Sequence, residues 1–531
     1  MGINKVIEFT EFNWFYEKYK PLTPYGIDAK IKCRFITNAN ELNKIHAIGE
    51  TVLSFIEEDN NAVLKIEHHL SRIDRLNDLD KEVFDAADLF LIKKLLIHFK
   101  AVASIMPNIW KTIFNSEFNS QKLLTELMPD NDDSEAFHLS SSFSDELLEV
   151  RNRISQTDEL LNKIKKETLS DIKDKFELDF ESREFILVDQ NKSEKLDSAL
   201  LYIELYDANL LKVKALFPKS YTIAQMEKKA LLQQEAEAEV KVLKRLSASV
   251  SKEREQLKQY IEVIENIDSH LAKARVSNLF NLIKPEIDDC DGLQIDEGRF
   301  LSLEARQNRN GAKYTPLSAT FDTNTSLLSG SNMGGKTVLF KTIGFLQLLT
   351  QLGFRVPALK FKTKLYDSIH ILSTYENKEV EGLSSFGQEV FSLSSALENE
   401  NKTTLILADE LAKTTNATEA KAILYGVLKW VASHTNYTGF FSTHFIKLPI
   451  IEGVGKYRMK GLNRKEFEKH YLHNQEETIE DRIKLINSFM QFEVEIDKQE
   501  SYKQDALSIA SLLGLNKDII KNANDYLGKT I

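Results

Sequence analysis

A helical first half leading into an α/β domain with a mostly parallel sheet is the fold this sequence predicts. Three observations carry it. Gly (20) and Pro (9) are scarce in 531 residues, so turn-makers are few and helices run long. Leu243, Leu246, Val250, Leu257, Ile261, Ile264, Ile267, Leu271 and Ala274 recur at threes, fours and sevens. That is the narrow apolar seam of one helix of about 50 residues. From about Leu293 onward, short β-like runs alternate with helical patterns, which implies parallel strands joined by helical crossovers.

Composition sets the outer limits. The chain carries 69 Lys+Arg against 80 Asp+Glu, a formal charge of −11, with 42% hydrophobic and 28% charged residues. This describes a globular chain with material for several cores, not a disordered one or a uniformly basic nucleic-acid coat. Cys33 and Cys290 are too far apart for a CxxC site and exclude a disulfide scaffold. Met1–Val6 has no signal-peptide pattern, and the apolar stretch Thr342–Phe354 is too short for a bilayer. A cytoplasmic protein with no membrane partner is expected.

Taken in order, residues 1–130 read as a helical domain, in which Ala86–Pro107 is apolar on most sides. The acidic run Pro129–Glu135 breaks the pattern, and a helix resumes near Ser144. Arg183–Asp189 reads as a lone strand. Residues 131–285 hold long helices whose seam predicts an intramolecular antiparallel coiled coil. Residues 286–470 form the α/β domain, with strands expected at Ser326–Ser329, Ser368–Ser373, Thr404–Ala408 and Thr438–Ser442. Residues 471–531 are expected to be a helical element.

Chemistry concentrates in the α/β domain. Gly330-Ser331-Asn332-Met333-Gly334-Gly335-Lys336-Thr337 fits G-x-x-x-x-G-K-[ST] between an apolar strand and an apolar helix. Its glycines let backbone N–H groups face phosphate oxygens at a helix N-terminus. Lys336 is placed to reach the β- and γ-phosphates of ATP, and Thr337 to offer a hydroxyl to Mg²⁺. Thr404–Glu410 is an apolar strand closing on two carboxylates. Asp409 is expected in the magnesium shell and Glu410 as the general base on the attacking water. Ser442-Thr443-His444 closes the following strand, where P-loop ATPases of the ABC type carry a γ-phosphate sensor. Ser384 and Ser385, ahead of Phe386 and Glu389, open a helix, by composition only a capped start.

Together these pieces resemble the MutS family of ATPases. Asn332–Lys336 is similar to that family's phosphate loop, Phe354–Ala358 to the segment ending its first ATPase helix, and Asp409–Asn416 to its Asp-Glu strand and loop. Ser442–Phe445 resembles its histidine strand, and Ala506–Ala523 its C-terminal dimerisation helices. The resemblance implies a lever-like domain over 1–130, a clamp-like region over 131–285, an ABC-type ATPase domain over 286–470 and a dimerisation element over 471–531. It also implies a homodimer in which Ser384–Phe386 of one chain completes the partner's ATP site, with Tyr314 stacking on adenine. The chain departs from members that read mismatches. It starts almost directly in the helical core, without room for their N-terminal domain around Trp14-Phe15-Tyr16-Glu17, whose aromatics read as core packing. Lys413-Thr414-Thr415 replaces an Arg-Gly-Thr, and Glu419 an Asp.

The implied output is ATP hydrolysis with Mg²⁺ that opens and closes helical arms around a partner. DNA is the first expectation, in a mismatch-repair or DNA-structure role. The loop at 409–416 is also similar to the MutS-like branch that accompanies adenosylcobalamin-dependent aminomutases, which makes an ATP-driven reactivating factor the alternative. A transporter-like or SMC-like ATPase is disfavoured by the absence of a Leu-Ser-Gly-Gly signature.

Overall fold

The computed structural model describes residues 2–106, 113–114, 116–129, 139–181, 183–191, 196, 199–289, 292–330, 334–373, 384–398, 400–411, 415–445, 448–463, 466, 486, 488–498 and 505–530. In chain order the helices begin with α1 (Gly2–Phe9), α2 (Phe12–Tyr16), α3 (Pro24–Ile31), α4 (Ala39–Glu58), α5 (Asn60–Leu70), α6 (Ala86–Ile105), α7 (Gln121–Glu126) and α8 (Asp145–Phe176). Strands β1 (Ile186–Asp189), β2 (Leu201–Leu205) and β3 (Leu210–Ala215) precede α9 (Lys219–Lys252) and α10 (Arg254–Phe280). Next come β4 (Glu286–Ile287), β5 (Leu293–Gly298), α11 (Leu301–Arg309), β6 (Leu317–Phe321), β7 (Thr325–Ser329), α12 (Lys336–Gln351), β8 (Lys360–Thr363) and β9 (Ser368–Ser373). The chain ends with α13 (Ser385–Leu397), β10 (Thr404–Asp409), α14 (Ala417–Ala432), β11 (Tyr437–Ser442), β12 (Val454–Leu462), β13 (Met490–Ile496), α15 (Asp505–Leu512) and α16 (Lys517–Thr530). Among the described residues no helix is long and apolar enough to cross a membrane.

The chain divides into two compact units, Met1–Leu22, Gly26–Val63 and Asn266–Ile531 in one, Thr23–Tyr25 and Leu64–Glu265 in the other. Residues 1–22 and 26–63, grouped by sequence with a helical domain 1–130, thus share a unit with the α/β fold.

That first unit is built on a six-stranded sheet in the order β13-β12-β7-β11-β10-β9, parallel from β12 to β9 and antiparallel only at β12–β13. Strands β10 and β11 are buried along their whole length, as continuous apolar runs in a parallel sheet require. One face packs on α12, and the other on apolar residues of α13 and α14 such as Leu393, Leu424 and Leu428. A second sheet, β4-β8-β5-β6, shares the core on the α12 side. This second sheet lies outside the strands expected from sequence. Residues 490–496 were likewise expected in a helical element, whereas Met490–Ile496 pairs with β12. The alternating Phe-Glu-Val-Glu-Ile pattern there has period two, which suits a strand.

Helix α12 is buried on nearly every side, polar residues included. Gln347 Nε2 donates to Gln351 Oε1 (2.8 Å) and the Lys364 carbonyl (3.0 Å), while Gln351 Nε2 donates to the carbonyls of Ile36 (3.0 Å) and Tyr366 (2.7 Å). Each buried amide is therefore satisfied, and the network fixes the far end of α12. Gly344 gives up helix propensity because a Cβ there would lie 3.0 Å from Thr10 Cγ2 and 3.1 Å from Leu407 Cδ1.

The N-terminal helices lie against this core. The aromatics Trp14-Phe15-Tyr16 pack as expected: Phe15 is fully buried, edge-on to Phe345 at 5.8 Å and Phe354 at 5.4 Å. Glu11, at φ +50 before α2, accepts from Arg306 Nη1 (2.6 Å), Lys341 Nζ (2.9 Å) and Ser302 Oγ (2.9 Å). Burial alone would raise its pKa, but hydrogen bonds from Arg306, Lys341 and Ser302 prevail and hold it down at about 2. A depressed folded-state pKa stabilises above the ordinary value of 4.5, and that stability is lost as pH falls through about 2. Urea titrations should therefore show the wild type losing stability over that window, with a flatter profile for Glu11→Gln that starts lower at pH 7. Parallel profiles would remove Glu11 from the acid response.

In the second unit α8 and α9 run antiparallel. Glu146–Lys241 (2.7 Å), Arg151–Glu235 (2.6 Å) and Asp158–Lys228 (2.6 Å) pair rising with falling numbers. Ala224, Leu231 and Ala238 are buried at heptad spacing on α9. The single long helix expected from the seam is two: the Glu253 N–H bonds Val250 O at 3.0 Å, a tightened turn that separates α9 from α10. The strand expected alone at 183–189 joins β3 and β2 in an antiparallel sheet. Its β2–β3 hairpin is closed by Asp207, whose Oδ1 accepts from the N–H groups of Asn209 and Leu210, both at 2.9 Å.

Candidate functional site

The site is assembled where β7, β10 and β11 end. The segment after β7 turns through Gly330 at φ +137 and enters α12 through Gly335 at φ +90, conformations that L side chains rarely adopt. A Cβ on Gly335 would meet the Phe492 ring at 3.0 Å, and one on Gly330 the Met459 Cβ at 3.2 Å. Strands β12 and β13 thus back the turn from one side. Lys336 is 3% exposed and its ammonium donates to the Gly330 carbonyl at 2.7 Å, which closes the turn on itself. Ser331, Asn332 and Met333 lie outside the described residues, as do Cys290, Lys413 and Thr414.

The carboxylates arrive on β10. Its parallel register with β11 pairs Ala408 with Phe441, which sets Asp409 beside Ser442. Thr337 Oγ1 donates to Asp409 Oδ2 at 2.5 Å, and Ser442 Oγ donates to Asp409 Oδ1 at 2.7 Å. Ser442 Oγ in turn accepts from the Glu410 N–H at 2.8 Å. Glu410 sits at φ +58, a left-handed backbone for a non-glycine residue, and its Oε1 is 4.0 Å from Lys336 Nζ. A hydroxyl and a carboxylate touching at the mouth of a glycine turn are hard oxygen donors of the kind Mg²⁺ takes beside phosphate. The residues present fit that ion.

Of the residues singled out from sequence, Lys336, Thr337, Asp409 and Glu410 come together here with Gly330, Gly334 and Gly335. His444 stands two residues past Ser442, exposed, its ring 4.5 Å from that of Phe445. Ser384 caps α13, its Oγ accepting from the Gly387 N–H at 3.2 Å. Of Ser385 only the helical backbone is described. The Tyr314 hydroxyl accepts from the Phe300 N–H at 2.7 Å, and burial pushes its phenol up to about 12. Two residues of the site, Met459 and Phe492, were not picked out from sequence, and Ser442 entered only as part of Ser442-Thr443-His444. Ser442 was readable only as a strand end, because its role depends on which strand lies beside β10. Met459 and Phe492 carry no motif and lie more than a hundred residues after the turn they support.

Comparison with known proteins agrees with this arrangement. The family model for MutS domain V matches residues 326–530, from within β7 to the end of α16. The DNA mismatch repair protein Msh3 of Dictyostelium discoideum is 27% identical over 275 residues, 50% of this chain and 18% of that protein. Endonuclease MutS2 of Caldanaerobacter subterraneus subsp. tengcongensis is 26% identical over 290 residues, 54% of this chain and 33% of its own length. The DNA mismatch repair protein MutS of Bacillus subtilis is 25% identical over 342 residues, 61% and 37% of the two chains. The chain thus spans between about a fifth and two fifths of the length of these relatives. Residues 326–530, which carry the glycine turn and the acid pair, match MutS domain V, and over about half of its length the chain is similar to proteins of the MutS family.

Proposed function

We propose that the protein is a MutS-like ATPase that hydrolyses ATP with Mg²⁺ as a homodimer and uses the cycle to close and open helical arms around DNA. The observation that supports the hydrolytic reading is the chain of short contacts Thr337–Asp409–Ser442–Glu410, which brings a hydroxyl and two acidic residues to one glycine turn. The N–H groups of Gly334, Gly335 and the start of α12 hold phosphate oxygens, together with those of Ser331, Asn332 and Met333. Lys336 exchanges its carbonyl partner for the β- and γ-phosphates. Thr337 and Asp409 hold Mg²⁺, which when bound neutralises charge on those phosphates. Glu410 accepts the proton of the attacking water, oriented by the Ser442 hydroxyl that fixes its backbone. His444 senses the γ-phosphate, Tyr314 stacks on the adenine, and Ser384 and Ser385 complete the site of a second copy.

The lever, clamp and dimerisation roles of the helical regions belong to the same proposal. ATP drives the arms only by binding the closed state more tightly than the open one. DNA as the partner rests on the relatives' names, and salt-titrated binding to duplex, branched and mismatched DNA tests it. A linear, steep fall of affinity with salt is expected. Absence of binding at low salt would shift the reading to a protein partner. For hydrolysis, Lys336→Ala should lower ATP turnover by about 10²–10³-fold, the typical loss of one charged stabiliser. Unchanged phosphate release from that variant would sink the ATPase reading.

A further inference from the structure

Asp409 and Glu410 are neighbours in the chain, and on an extended strand neighbouring side chains point to opposite faces. Strand β10 obeys this up to its end. Leu405 and Leu407 lie in the core on the α12 side, whereas Ile406 and Ala408 lie in the core with α13 and α14. Asp409 follows the first set and meets Thr337 Oγ1 at 2.5 Å. An extended Glu410 would follow the second set, away from the glycine turn. Instead its backbone turns left-handed at φ +58, and its Oε1 comes to 4.0 Å from Lys336 Nζ. The backbone at this one residue thus brings both carboxylates to the same mouth.

A residue with a Cβ keeps such a conformation only where its surroundings over-determine it. One of those surroundings is Ser442, 0% exposed at the end of β11. Its Oγ accepts from the Glu410 N–H at 2.8 Å and donates to Asp409 Oδ1 at 2.7 Å. A hydroxyl has a single proton to give, so the bond to Asp409 orients the lone pair that receives the Glu410 N–H. Thr337 holds the other oxygen of Asp409, which fixes that carboxylate from α12 and from β11 at once.

We propose that Ser442 is a positioning residue that couples the metal ligand to the base. By holding the Glu410 N–H it keeps the left-handed turn that swings the base onto the face of the glycine turn. By donating to Asp409 it makes that turn depend on where the metal ligand sits. No bond is made or broken at Ser442, and its whole effect passes through Glu410. This role rests on the ATPase reading and adds to it the way the base is aimed. Without the hydroxyl, Glu410 relaxes toward the extended form, and nucleotide still binds at a turn that keeps Lys336 and Thr337.

The test uses the full chain and phosphate release over a range of ATP concentrations. Ser442→Ala should lower kcat by about 10–100-fold, the effect of losing one hydrogen bond at a charged group, with KM for ATP unchanged. In a Glu410→Gln background, followed in single turnover, the same substitution should bring no further loss, because the group it aims is already disabled. A wild type without turnover takes down the ATPase reading, and this role with it. A wild type that turns over beside an equally active Ser442→Ala overturns the coupling alone. So does a full further loss in the Glu410→Gln background, or a raised KM with kcat kept, since the hydroxyl would then serve the fold or nucleotide binding. If Ser442→Ala fails to fold by circular dichroism, Ser442→Cys takes its place in both measurements, because a thiol keeps the shape of the side chain and donates only weakly.

Discussion

Glu410→Gln should leave a protein that holds ATP yet turns it over about 10²–10⁴-fold more slowly, the range that a positioned general base contributes. The residue directly follows a fully buried strand, and its backbone N–H is fixed by Ser442 Oγ at 2.8 Å. Its φ of +58 costs conformational energy that the surrounding contacts must sustain. Glutamine keeps the size and hydrogen bonding of the side chain but cannot take a proton. Nucleotide retention on a filter and steady-state phosphate release separate the two effects. If turnover survives, the base is another group and the acid pair has only a metal-holding role. If retention is lost with turnover, Glu410 serves binding instead.

The second large effect is on stability. Phe345→Ala should destabilise the unit carrying the phosphate turn by about 3–5 kcal/mol, the usual result of emptying a buried aromatic site. Phe345 is 2% exposed on α12 and meets Phe15 at 5.8 Å and Phe300 at 5.9 Å, both edge-on. The N-terminal helices, α11 and α12 thus converge on one ring, and none of them is free to collapse into the space left behind. Urea unfolding followed by tryptophan fluorescence, in a background where Trp110 of the other unit is replaced by Phe, reads this unit through Trp14 and Trp430. A midpoint within error of the wild type would mean the core there repacks.

The chemistry was legible because it is local. The phosphate turn, the apolar strand before Asp409-Glu410 and the strand before Thr443-His444 are contiguous strings whose spacing follows from backbone geometry. The structure places those strands at Thr325–Ser329, Thr404–Asp409 and Tyr437–Ser442, each within a residue of the sequence reading. The break at Glu253 was not legible: the apolar seam continues across it, and periodicity records which face is buried, not whether every turn is α-helical. Strands β5, β6 and β8 were missed because they carry polar residues such as Gln294, Asp296, Ser318 and Lys362 and lack the continuous apolar run that marks β10.

The sequence by itself determined the glycine turn and the acid pair as contiguous strings, the parallel character of the sheet and the antiparallel helix pair. Each of these depends on neighbours a few residues apart or on a repeating period. Tertiary structure alone decided that Ser442 joins Asp409 to Glu410, that Met459 and Phe492 back the glycine turn, and that Glu11 is clasped by α11 and α12. These depend on strand order, register and packing between segments tens to hundreds of residues apart, where the energy of a contact is fixed by distance in space and leaves no period in the chain.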